Sequence, residues 1–74
     1  MNQSATRAAR LVYIRDLLYE RPRSVQELAA LCGVTRMTIY RDLIDIQLEP
    51  LSVPLQVEGG CWRVLDWDAL EKQN

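Results

Sequence analysis

The chain contains no histidine and no phenylalanine, and only two cysteines, three glycines and three prolines. The scarcity of histidine, cysteine and glycine removes whole classes of function. Without histidine, acid–base chemistry near neutral pH and most metal sites lose their commonest group. Two isolated cysteines, Cys32 and Cys61, are too few for a secreted disulfide framework. No Gly-rich phosphate loop or nucleophile elbow occurs. No apolar run approaches the roughly 20 residues of a membrane span, and Met1–Arg7 lacks the apolar core of a signal peptide. Asp66 and Asp68 read as solvated charge near a polar tail rather than as an acid and a base. These gaps lead us to expect a cytoplasmic, non-enzymatic protein with neither metal nor cofactor.

What is present is enough for one small domain spanning residues 1–74, with 49% apolar and 26% charged residues. The net charge of −1 hides an asymmetry. Residues 1–41 carry seven arginines against three acids, a balance of +4, and residues 42–74 carry two cations against seven acids, a balance of −5. The expected molecule has a basic end for phosphates and an acidic end turned away from them.

Three helices are expected, over about 5–20, 25–32 and 36–48. In the first, Ser4 or Thr6 serves as cap and Leu11, Ile14, Leu17 and Leu18 recur at helical spacing. Arg7 and Arg10 lie off that stripe, either as solvated charges or as phosphate contacts. Pro22 closes this helix. Ser24-x-x-Glu27 forms a capping box for the second, which ends at Gly33 and buries Val25, Leu28, Ala29 and Leu31 or Cys32. Cys32 is read as a small core residue rather than a reactive thiol.

The third helix, capped by Thr35, carries two distinct faces. With Ile39 set at zero and about 100° per residue, Leu43 and Ile46 join it in a core stripe. Met37, Tyr40, Arg41 and Ile44 fall on the opposite side, flanked by Arg36 and Thr38. Two short helices joined by a few residues, the second basic and aromatic on its free face, are the pattern of a helix-turn-helix. Arginine can hold guanine O6 and N7, Thr38 offers a hydroxyl and a methyl, and Tyr40 can meet a phosphate or a thymine methyl. The bland alternative is a solvated amphipathic helix in which Arg41 pairs with Asp45. Asp42 is expected to orient an arginine rather than to touch DNA.

Beyond Leu48 the apolar period changes to alternation. With Gly59-Gly60 as a type I′ turn, Glu58 faces Cys61, Val57 faces Trp62, Gln56 faces Arg63 and Leu55 faces Val64. Pro54 restricts its strand to a sheet edge, and Trp62 is expected in the core. This hairpin, over about 53–65, is a wing. Gly59, Gly60 and Arg63 are its candidate backbone contacts, although turn geometry alone also accounts for the glycines. The expected fold is therefore mainly α with a small β-hairpin. It is a winged helix-turn-helix with a short C-terminal helical turn in the tail 66–74, where Asp66 caps Trp67 and Leu70.

The run Ser24-Val25-x-Glu27-Leu28-Ala29, followed by Gly33-Val34-Thr35-x-x-Thr38-Ile39-Tyr40-Arg41-Asp42-Leu43, resembles the DeoR-type and related type 11 winged helix-turn-helix domains of bacterial transcriptional regulators. The likeness extends over about residues 7–65, with Thr35 where the family usually has serine. It implies double-stranded DNA as partner and Thr35, Arg36, Thr38, Tyr40 and Arg41 as contacts, to which the residue-by-residue reading adds Met37. Family members usually continue into a large effector domain. With nine residues after Leu65, we expect a stand-alone regulator, a repressor in preference, without a small-molecule sensor. A single winged helix covers one half-site, so a homodimer is expected. Two rivals stay open. One is a protein-docking winged helix using Met37, Tyr40 and Ile44; the other is a reader of RNA or single strands, disfavoured because no paired aromatic platform is evident.

Overall fold

A computed structural model describes residues 3–65, with side chains from residue 6 onward. Helix α1 spans Gln3–Glu20, α2 Val25–Cys32 and α3 Arg36–Gln47, and the strands are β1 (Arg23–Ser24), β2 (Leu55–Glu58) and β3 (Cys61–Val64). Ser4 and Thr6 lie inside α1, so neither is its cap. The expected turn at Asp66, Trp67 and Leu70 lies outside the described residues. Among the described residues no helix is long and apolar enough to cross a membrane.

Local chemistry accounts for the helix-turn-helix. Ser24 Oγ accepts from the Glu27 N–H at 3.1 Å and starts α2. Gly33 ends it in the left-handed region at φ 67°, where a side chain would be strained. Two residues later Thr35 Oγ1 accepts from the Thr38 N–H at 3.2 Å and starts α3. The capping box is only half made, because the Glu27 carboxylate turns to Arg21 and Arg23 instead of back to the Ser24 backbone.

The wing has the expected register, Leu55 to Val64, Gln56 to Arg63, Val57 to Trp62 and Glu58 to Cys61. Both turn glycines have positive φ, 59° and 79°, as a type I′ turn requires. The structure adds a strand between the first two helices, where the spacing of the expected elements leaves only a connection. Arg23 and Ser24 pair with Trp62 and Cys61, making a three-stranded antiparallel sheet in the order β1-β3-β2. A strand of two residues shows no alternation, so no sequence period marks it. Its effect is to tie the wing to the start of α2, with β2 at the edge where Pro54 allows it.

Ile14, Leu17, Leu18, Val25, Leu28, Ile39, Leu43, Ile46 and Val53 form the buried core, with Leu11, Cys32, Leu55, Trp62 and Val64 packed against it. Cys32 takes the inward position that Leu31 could have held; Leu31 is exposed. Burial pushes the Cys32 thiol pKa up, which suits a packed side chain and disfavours a thiolate.

Arg23 is the unexpected member of the interior, 7% exposed. Its guanidinium donates to the Leu17 carbonyl at 3.2 Å, to Glu27 at 2.8 Å and to Glu20 at 2.9 Å. It thus fastens the end of α1 to α2. Hydrogen bonds from Arg23 and then Arg21 hold the Glu27 carboxyl below its ordinary value of 4.5. A carboxyl depressed in the folded state contributes stability above its unfolded value, and the contribution is lost as pH falls through the folded value. Glu27→Gln is accordingly expected to lower Tm at neutral pH, with the gap to the parent narrowing below the ordinary value of 4.5 and closing as pH falls through the depressed folded value. Thermal unfolding of both proteins across pH 7 to 2 checks this; a gap independent of pH would contradict it.

Candidate nucleic-acid interface

Helix α3 presents two sides, fixed by its packing. Ile39, Leu43 and Ile46 are fully buried, and Asp42, which borders that stripe, is 1% exposed. Met37, Tyr40 and Ile44 are 64%, 52% and 56% exposed. Arg36 and Arg41 share the exposed side, and Thr38 is half-buried at the start of the helix. The Thr35 and Thr38 hydroxyl oxygens are 3.1 Å apart, so these two groups bond each other at the cap.

The buried carboxylate of Asp42 is met from α1. Arg10 donates to it through Nε at 2.5 Å and Nη2 at 3.1 Å, a fork-to-fork pair. The hydrogen bond to Asp42 raises the Arg10 pKa, outweighing its partial burial. Arg7 pairs with Asp45 and lies 3.9 Å from Asp42. This corrects the reading of Arg7 and Arg10 as outward arginines off the core stripe. Both turn toward α3; Arg10 is only 19% exposed in its side chain, while Arg7 keeps 51%. Asp42 does meet an arginine, Arg10, but in the packed contact of α1 with α3 rather than near a phosphate-facing surface, because its side chain is buried. The bland pairing of Arg41 with Asp45 does not form: Asp45 sits beside Arg7, and Arg41 Nη2 lies 3.8 Å from Met37 Sδ.

The picture of a basic half and an acidic half needs the same correction. Asp42 and Asp45, counted in the acidic half, sit against the arginines of α1. Arg15 pairs with Asp16, Arg21 with Glu27, and Arg23 with Glu20 and Glu27. In the wing, Arg63 is 3.8 Å from Glu58, and the tip glycines Gly59 and Gly60 have open space where a side chain would stand. Among the described residues, the arginines left without a carboxylate partner are Arg36 and Arg41. Both are on the exposed side of α3.

Sequence reasoning missed Arg23. The signal was its acidic neighbours at i−3 and i+4, Glu20 and Glu27, but a guanidinium flanked that way on an expected loop reads as solvated. Among the described residues no group of three histidine, cysteine, aspartate or glutamate side chains could hold a metal ion.

Two capped helices in tight succession, the second with a free basic face, followed by a hairpin bound to their core, define a winged helix-turn-helix domain. The chain belongs to the DeoR-like helix-turn-helix domain family, whose match covers residues 14–58. That span runs from the core of α1 to the end of β2 and includes the whole helix-turn-helix. It starts beyond Arg7 and Arg10 and is narrower than the resemblance over 7–65. Comparison with curated proteins and with solved structures finds no match. Helix-turn-helix domains are a DNA-binding class that places the second helix in the major groove, and a regulatory DNA-binding role is the general function of this family.

Asp42→Asn keeps the shape of the buried side chain and removes its charge. It is expected to cost about 3 kcal/mol, the low end for a broken buried pair because Arg10 keeps some solvent contact. Urea unfolding measures the loss, and a double-mutant cycle with Arg10→Met isolates the coupling. Additive single effects would show that the pair does not hold α1 to α3.

Proposed function

We propose that this domain is a small transcriptional regulator that binds double-stranded DNA by sequence, with the first half of α3 in the major groove. The observation that carries the reading is the sorting of arginines. Internal carboxylates engage Arg7, Arg10, Arg15, Arg21 and Arg23, and Arg36 and Arg41 stay free on the exposed side of α3. A free guanidinium can form two parallel bonds to guanine or meet a phosphate, whereas a paired one must first give up its partner. The Thr35 cap leaves the start of α3 partly positive, which favours a nearby phosphate.

In this reading Thr35, Arg36, Met37, Thr38, Tyr40 and Arg41 face the DNA. The wing, through Gly59, Gly60 and Arg63, lies near the backbone or minor groove. Arg7 retains enough exposure to reach a phosphate, while Arg10 acts as a positioning residue that holds α3 through Asp42. The site of action is the cytoplasm. Repression is favoured because occupying an operator needs no surface beyond the site itself. A homodimer on two half-sites supplies the length of sequence that one short helix cannot. Sedimentation of the protein on its selected duplex is expected to give two copies per operator; one copy would remove the dimer from the proposal.

A second reading draws on the exposed Met37, Tyr40 and Ile44, which could dock another protein. Selection of bound duplexes from a random library at about 100 mM salt separates the two, since phosphate contacts alone bind weakly there. The expected result is an enriched motif that the Arg36→Ala/Arg41→Ala variant does not recover. On the enriched duplex, affinity should fall steeply between about 50 and 200 mM salt. Absence of any enriched motif would favour the protein-docking reading.

A further inference from the structure

The exposed side of α3 is more apolar than phosphate binding or hydrogen-bonded base reading requires. Met37, Tyr40 and Ile44 stand in water at more than half exposure, and Arg36 and Arg41 are the polar side chains beside them. That side carries no asparagine for the paired bonds to adenine N6 and N7, a single glutamine at its far end, and no carboxylate free of an arginine for cytosine N4. Gln47, near the end of α3, already donates its amide to the Leu43 carbonyl at 3.1 Å. The one apolar group on a base edge in the major groove is the C5-methyl of thymine.

The position of Arg41 sharpens this. Its Nη2 lies 3.8 Å from Met37 Sδ, so guanidinium and thioether are side by side across one helical turn. The i,i+4 spacing sets a base held by Arg41 beside a group packed on Met37. Resting on the DNA-reading proposal, we infer that the operator half-site centres on a guanine held by Arg41 and flanked by thymines. Met37 packs on the C5-methyl of the adjacent thymine, and Tyr40 is placed to cover a second. Specificity at those positions is the difference of one methyl group.

The test uses the full chain and the duplex enriched by selection. Deoxyuridine replaces thymine one position at a time, which removes the methyl and leaves every hydrogen-bonding group in place. At the thymine beside the guanine, affinity is expected to fall about fourfold, the worth of one methyl taken out of water. Met37→Ala, at an exposed position, should bind the thymine and deoxyuridine duplexes equally while keeping its parent's circular dichroism. An enriched motif whose affinity no deoxyuridine changes by as much as twofold would overturn the inference and leave DNA reading intact. A loss on deoxyuridine that persists in Met37→Ala would overturn the role of Met37. Failure to enrich any duplex would overturn the DNA-reading proposal itself, and this inference with it.

Discussion

The forked ion pair between Arg10 and the buried Asp42 is the contact on which the geometry of the exposed face depends. Asp42 lies at the edge of the α3 core stripe, next to Ile39, Leu43 and Ile46, where a lone carboxylate would carry a large desolvation cost. Arg10 offsets that cost only when α1 and α3 sit in one orientation, because a guanidinium fork accepts little angular error. The apolar core permits some sliding of one helix over another. The pair selects a setting, and so fixes which way Arg36, Met37, Tyr40 and Arg41 point.

A consistent division of labour among the arginines follows. Four on α1 and at the α1–α2 junction pair with carboxylates of α2 and α3: Arg10 with the buried Asp42, Arg7 with Asp45, and Arg21 and Arg23 with Glu27. Asp42 and Asp45 both meet arginines of α1, and Arg41 has neither as a partner. A protein of net charge −1 can therefore present a locally cationic surface. What matters for an anionic partner is the charge left over after internal pairing, within about a Debye length of the contact.

The helix-turn-helix was legible because its signals are local. Ser24 and Thr35 cap with their own side chains, Gly33 stops α2 through its own φ, and the stripe Ile39, Leu43, Ile46 is a matter of helical angle alone. The hairpin register was legible for the same reason, since a two-residue turn at Gly59-Gly60 leaves one pairing that puts Leu55, Val64, Val57 and Trp62 on one face. Strand β1 was not, because its pairing with β3 spans almost forty residues of chain. Arg23 was missed because its partners come from α1, α2 and a backbone carbonyl together.

The sequence by itself determined the three helices, the caps of α2 and α3, the wing hairpin, the core stripes and the family to which the chain belongs, since caps, periods and turns act over a few residues. Only the tertiary structure decided which arginines remain free. Charge pairing depends on distances across the fold, and Arg7, Arg10, Arg36 and Arg41 look alike until α1 is laid against α3. Composition counts all four as cations. Packing brings two of them to the aspartates of α3 and leaves Arg36 and Arg41 exposed beside Met37 and Tyr40.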